Sequence, residues 1–421
     1  MNNVLQELSL RGFVSQCTAM DELSSLMDAE PVTFYVGCDP TGSSLHIGHM
    51  VPFFAFRHLR AAGHRGIALI GSGTARIGDP SGKTEMRKML NCNEIEQNAA
   101  FIREQLERFL GGFDGESAIC ADNSGWLPRL NYIDFLREVG VHFSVNRMLS
   151  FEAYKKRLET GLSFIEFNYQ LLQSYDFFQL YKHYGCRLQI GGDDQWGNIV
   201  AGMELIRRME NAEETPGSFL EPFGLTFPLV TTSDGKKMGK TEKGALFLDP
   251  ARTAPYDFFQ YWRNITDSDL KRFLLMFTFL PVSECERLAG LANPNEGKER
   301  LAFEVTALIH GKDEAEKALS GAKAAFGGGG DINAMPAQNL EKSKLKAGYN
   351  AVELFFDSKL CSTKSEARRL IEQGGAFVTK CGVLTAVKNV EEVISTGVLD
   401  DSGALIIRAG KKRFCRVFFV E

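Results

Sequence analysis

Two histidines stand three residues apart in DPTGSSLHIGHM, residues 39–50, directly after a Gly/Ser-rich bend. If Ser43 or Ser44 caps a helix here, His46 and His49 share one of its faces. Both imidazoles then lie near exposed backbone N–H groups and the positive end of a helix, where phosphate oxygens are bound. A zinc pair needs further ligands, and no HExxH pattern or neighbouring cysteine supplies them. Contact with phosphate or ribose and a plain surface pair both remain open on this stretch alone.

Four further stretches carry chemistry. IGDPSGKTEMR, 77–87, is one residue short of a phosphate-cradling P-loop, yet it offers Asp79 with Lys83 and Arg87 at i and i+4. FIEFNYQLLQSYDFFQLYKHYG, 164–185, is too apolar for a surface helix, but Tyr169, Gln173 and Asp176 fall within about 60° of one another on it. A buried carboxylate is costly unless paired, so this stripe either pairs internally or lines a pocket for something polar. In GCRLQIGGDDQWGN a strand ends at Gly191-Gly192 and runs into Asp193, Asp194 and Gln195. Acids at the carboxyl end of such a strand commonly bind ribose, while either aspartate could instead cap the following helix. Finally, SDGKKMGKTEKG, 233–244, sets lysines 236, 237 and 240 among glycines, as a loop closing over a polyphosphate would.

The elements that must position these residues alternate through about residue 230. Short β-rich runs, VTFYVG, GIALIG, SAICA, CRLQIG and LTFPLV, are separated by amphipathic helical stretches. That alternation predicts an α/β fold, a parallel sheet with helices on both faces. The expected division is a catalytic domain over 1–230, the lysine loop with an α-helical domain over 231–325, a linker over 326–345 and a small α+β domain over 346–421. The linker reading rests on FGGGGDINAMPAQNLEKSK, too polar and glycine-rich to bury much surface.

Composition is that of a globular chain: 421 residues, 24% charged, net charge −5. The charge is unevenly spread. From residue 346 on, 12 cations face 9 carboxylates, whereas the rest of the chain carries 36 against 44. Cations gathered in KSEARRLIEQGG and RAGKKRFCR suit an RNA backbone, or merely a solvated face. The 9 cysteines are scattered without a CxxC pair, which fits a reducing cytoplasm. The N-terminus lacks the pattern of a signal peptide and no apolar run is long enough for a membrane span, so no membrane partner is expected.

In order, HIGH at 46–49, GGDDQ at 191–195 and KMGKT at 237–241 resemble the signatures of class I aminoacyl-tRNA synthetases, KMGKT being a variant of the KMSKS loop. YVGCDPTGSSLHIGH, IGDPSGK, FSVNRML, QLLQSYDF and CRLQIGGDDQWGNI resemble, in detail, the bacterial tyrosyl-tRNA synthetases. The resemblance spans nearly the whole chain and implies a Rossmann-type catalytic domain, an α-helical domain and a small C-terminal RNA-binding domain. It also implies a ligase of protein biosynthesis that uses ATP, brought with Mg2+ and with no tightly bound cofactor. L-tyrosine and tRNA(Tyr) would be its other substrates, in a homodimer.

Carried over residue by residue, the resemblance gives Tyr35 and Asp176 to the substrate's phenol. Asp79, Tyr169 and Gln173 go to its α-ammonium, and Gln195 lies near its carboxylate. Gly37, Asp39, Thr41, His46, His49, Gly192 and Asp194 face ATP, with Asp194 on the ribose. Lys83, Arg87, Lys237 and Lys240 steady the departing pyrophosphate. Two departures stand out: Val36 where some relatives have a cysteine, and Gly239-Lys240-Thr241 in place of Ser-Lys-Ser. The tryptophanyl enzymes share similar signatures, but an acid on the pocket helix and a phenol at 35 favour a para-hydroxyl substrate.

Overall fold

The computed structural model describes residues 2–81, 89–210, 219–233, 235, 238, 240–241, 244–325, 335–380, 383–400, 403–410 and 413–420. Contacts divide the chain into two compact units: Met1–Ala254 with Trp262–Ile309, and Pro255–Tyr261 with His310–Glu421.

The first unit is built on six strands: β1 (Gln16–Cys17), β2 (Thr33–Cys38), β3 (Arg65–Ile70), β4 (Ala118–Asp122), β5 (Cys186–Gly192) and β6 (Phe223–Phe227). Their order across the sheet is β1-β6-β5-β2-β3-β4. All neighbours are parallel except the short edge strand β1, which runs antiparallel to β6. Four of the five apolar runs read from the sequence lie on β2 to β5, and LTFPLV overlaps β6 at Leu225–Phe227, its last three residues running past the strand. The inner strands are buried on both faces, as Phe34, Ile67, Leu188 and Leu225 show at 0% exposure, which explains why continuous rather than alternating apolar runs mark them, while edge strand β4 is only partly buried. Each such side chain contributes about 1.5–3 kcal/mol on burial.

From β2 the chain moves outward to β3 and β4, then returns to the other side of β2 as β5. The crevice outside the carboxyl ends of β2 and β5 is therefore the switch point where open α/β sheets place ligands. Helix Tyr169–Tyr184 leads into β5, and Trp196–Met209 leaves it. Gly185 in the left-handed region (φ 62°) ends the former, so the chain can reverse straight into Cys186. Beyond β6, two short strands, β7 (Lys240–Thr241) and β8 (Gly244–Ala245), form an antiparallel pair.

In the second unit the sheet order is β12-β11-β14-β15-β9, with β9 (Ala337–Glu341), β11 (Ala376–Lys380), β12 (Val383–Ala386), β14 (Ala404–Ala409) and β15 (Arg413–Val420). A separate pair joins β10 (Tyr349–Asn350) to β13 (Val393–Ile394). Val378, Ile407 and Val417 from the sheet share a core with Leu354, Phe355 and Ile371 from helices Ala351–Asp357 and Lys364–Glu372. Arg368 and Arg369 on the second of these helices are exposed. Strand β9 lies in the stretch that composition reads as linker. Its AQNLE sequence runs parallel to β15 at the sheet edge with alternating exposure, and an edge strand needs little apolar content. Glycines 327–330 lie outside the described residues. No helix among the described residues is long and apolar enough to cross a membrane.

Candidate active site

Tyr35 on β2 is 1% exposed, and its hydroxyl meets no hydrogen-bond partner among the described residues. Burial raises its pKa well above the ordinary range, and the neighbouring Asp176 adds to the shift. Asp176 is itself buried, accepting from Asn123 Nδ2 at 2.9 Å and Trp126 Nε1 at 2.7 Å. Burial pushes its pKa up to about 8, against the lowering effect of those two hydrogen bonds. A phenol placed between them would accept from Tyr35 and donate to Asp176.

The pocket continues as a network. Asn123 also donates to Thr74 Oγ1 at 2.9 Å, and Thr74 donates to Asp39 Oδ1 at 2.7 Å. The other oxygen of Asp39 accepts from the Tyr169 hydroxyl at 2.9 Å. Asp79 accepts from Gln195 Nε2 at 2.8 Å and from the Ser81 N–H at 2.9 Å. Asn198 Nδ2 donates to Gln173 Oε1 at 2.9 Å and to Gln195 Oε1 at 3.1 Å. The polar stripe of Tyr169, Gln173 and Asp176 thus meets the ends of β2, β4 and β5, with Asp79 beside Gln195. Thr74, Asn123, Trp126 and Asn198 escaped the sequence reading. Three of the four follow the ends of β3 and β4, so applying the strand-end rule to GIALIG and SAICA as well as to CRLQIG would have pointed to them.

Two sequence expectations require correction. His46 and His49 are not on a helix capped by Ser43 or Ser44. The helix begins at Val51 with Pro52 in its first turn, and Ile47–His49 form a preceding 3-10 turn. In such a turn residues three apart eclipse, and the two rings are stacked, 3.6 Å between centroids and 24° between planes. Ser44 Oγ instead donates to Leu45 O at 2.8 Å and accepts from the Asp249 N–H at 3.1 Å. Nor does either aspartate of GGDDQ cap the next helix, whose cap position is Gln195. Asp193 accepts from Ser15 Oγ and Thr226 Oγ1 at 2.7 and 2.6 Å, fastening the segment before β1 to β6.

The residues that the resemblance gives to ATP are more open. Gly37 is exposed at the end of β2, Asp39 is half-buried, and Thr41 is exposed, its N–H donating to Asp39 O at 2.8 Å. A Cβ on Gly192 would stand 2.7 Å from Asp194 Oδ1, so only glycine leaves that carboxylate in place. The signature turn and the lysine segment adjoin. Ile47 N–H donates to Leu246 O at 3.0 Å and Leu248 N–H to Leu45 O at 2.9 Å, bridging His46 to Phe247. Met238 is buried, and its carbonyl lies 3.5 Å from where a Cβ on Gly48 would sit. Lys83, Arg87 and Lys237 lie outside the described residues, and Lys240 is described only as backbone in β7.

The family model for tRNA synthetases class I (W and Y) matches residues 27–327. A tyrosine–tRNA ligase of Treponema denticola is 58% identical over 419 residues, covering 100% of both chains. One from Caldanaerobacter subterraneus is 49% identical, again over 100% of both. Among solved structures, a C-terminally truncated mitochondrial tyrosyl-tRNA synthetase of Aspergillus nidulans has a TM-score of 0.68 at 29% identity, covering 77% of this chain and 94% of its own. A tryptophanyl-tRNA synthetase from Encephalitozoon cuniculi, TM-score 0.54 at 14% identity, shares the fold. Signatures, sheet order and full-length identity together show that the chain belongs to the class I tRNA synthetases, in the tyrosyl-tRNA synthetase family.

Proposed function

We propose that this chain is a tyrosine–tRNA ligase that activates L-tyrosine with ATP and passes the tyrosyl group to the 3′ end of tRNA(Tyr). One observation carries the choice of amino acid: a buried tyrosine hydroxyl without a partner beside a buried carboxylate. That pair fits a para-hydroxyl: phenylalanine would leave the Tyr35 hydroxyl unpaired and bring no donor to Asp176, at about 1–3 kcal/mol for the unpaired group.

The substrate carboxylate attacks the α-phosphorus of ATP, the bond from that phosphorus to the bridging oxygen breaks, and pyrophosphate leaves. A carboxylate is already a nucleophile at neutral pH, so the work is positioning and charge stabilisation. Asp79, Tyr169 and Gln173 hold the α-ammonium, with Gln195 beside the carboxylate. Asp39, Thr41, His46 and His49 face the nucleotide, and Asp194 takes the ribose where Gly37 and Gly192 let it approach. Lys83, Arg87, Lys237 and Lys240 neutralise the pyrophosphate as it departs. Mg2+ enters with ATP as part of that substrate. The terminal adenosine of the tRNA then attacks the tyrosyl carbonyl and AMP leaves.

The domain reading is a Rossmann-type catalytic domain over 1–230, a helical domain over 231–325 and an RNA-binding domain over 346–421. The exposed cations on Lys364–Glu372 support the last. A homodimer is supported by exposed apolar side chains along 132–145, Tyr132, Ile133, Val141 and Val145 among them, together with Phe164 at 70% exposure. The enzyme would work in the cytoplasm. The deciding experiment is ATP–pyrophosphate exchange with tyrosine, tryptophan or phenylalanine as the amino acid. Exchange with tyrosine alone is expected, and equal exchange with tryptophan would overturn the assignment.

A further inference from the structure

We infer that Gln105 is a positioning residue for the ATP half of the reaction. The inference rests on the reading of His46 and His49 as nucleotide contacts. Helix Cys92–Leu110 is firmly begun: Asn91 accepts from the Glu94 N–H at 2.9 Å, and Glu94 accepts from the Asn91 N–H at 3.1 Å. Its apolar face, with Ile95, Ala99, Ile102 and Leu106, is buried. Asn98 and Gln105 are seven residues apart, two turns and about 10 Å along the same side.

Both touch the segment that ends in the stacked histidines. Asn98 Nδ2 donates to Pro40 O at 3.2 Å. Gln105 Oε1 accepts from the Leu45 N–H at 3.0 Å, and Gln105 Nε2 donates to Ser44 Oγ at 3.3 Å. One rigid helix therefore holds both ends of residues 40–45, immediately before His46. The same Ser44 Oγ accepts from the Asp249 N–H at 3.1 Å. Gln105 thus stands where the helix, the signature turn and the segment following KMGKT converge. Leu45 is 1% exposed, so without Gln105 its N–H would be left buried and unpaired, and the turn would shift to rehydrate it. A shift of about 1 Å in a positioning element can cost about a hundredfold in rate.

The test is pre-steady-state formation of tyrosyl-adenylate by the full chain, with tyrosine Kd measured separately without ATP. Gln105→Ala and Gln105→Leu are expected to slow the step by about tenfold to a hundredfold and raise the KM for ATP, with tyrosine Kd within about twofold of the parent. Gln105→Glu keeps the acceptor for Leu45 and is expected to recover most of the rate. Unchanged adenylate kinetics in both the Ala and Leu variants would overturn the proposal. So would a parallel loss of tyrosine binding and thermal stability, which is what a merely structural residue gives. His46→Ala serves as reference: if it leaves ATP kinetics unchanged, the nucleotide reading of the turn fails, whatever Gln105 does.

Discussion

The proposed amino-acid pocket and the proposed nucleotide side lie at the ends of the same strands yet are built differently. In the pocket, Asp176, Asn123 and Thr74 form a hydrogen-bonded chain, all of it buried, that meets Tyr169 through Asp39, the residue where the two sides join. On the nucleotide side, Gly37, Thr41 and His49 are exposed, and the signature turn is held from behind by backbone pairing to residues 246–248. The difference follows what each must recognise. A neutral hydroxyl can be told from its absence only where water is excluded and unpaired groups are costly. Phosphate charge that grows during the reaction needs cations and N–H groups that an incoming polyphosphate can reach.

Substitutions that act on one side alone would sharpen this contrast, and substitutions that act on both would break it. The largest effect is expected for Asp176→Ala, which removes an acceptor from a buried site and leaves Asn123 and Trp126 without theirs. A loss of about 2–4 kcal/mol, roughly 30- to 1000-fold in kcat/KM for tyrosine, should appear with the KM for ATP little changed. Gly192→Ala is the counterpart. Its new methyl group displaces Asp194, so the KM for ATP should rise by about tenfold while tyrosine Kd holds, a cost of about 1.4 kcal/mol. An equal rise in both would mean that the two sides are not separable.

Tyr35→Phe should give opposite signs in two measurements. Removing a buried hydroxyl that lacks a partner should raise the thermal midpoint slightly, by about 0.5–1 kcal/mol in stability. Tyrosine binding should weaken by about fivefold, because the substrate phenol loses its donor. The pH dependence is smaller still. Asp176 has a pKa raised to about 8, so at pH 6 it is mostly protonated. Each of its oxygens already accepts one bond, and the ionised form accepts a further one best. Tyrosine Kd should therefore fall as pH rises from 6 towards 8 and level off above, a trend that Asp176→Asn should abolish. Titration calorimetry across that range measures it.

What the sequence made legible follows from what is periodic or adjacent. The buried strands could be read because Gly, Asp and Asn punctuate their apolar runs. The stripe of Tyr169, Gln173 and Asp176 could be read because helical spacing puts it on one face. Thr74, Asn123 and Trp126 are single polar residues in loops, and only the sheet order brings them to Asp39 and Asp176. The histidines fall outside the helix that the serines suggest because it starts at Val51, with Pro52 in its first turn, nearly two turns later. Strand β9 was hidden because its register comes from β15, not from its own side chains.

The central claim is that the pocket sorts amino acids by their hydroxyl before the nucleotide takes part. Equilibrium binding of tyrosine and phenylalanine to the full chain, with no ATP present, tests it most directly. The expected result is strong preference for tyrosine in that binary complex, largely lost in Asp176→Ala. Equal affinity for the two amino acids, with selection emerging only once ATP is added, would contradict it.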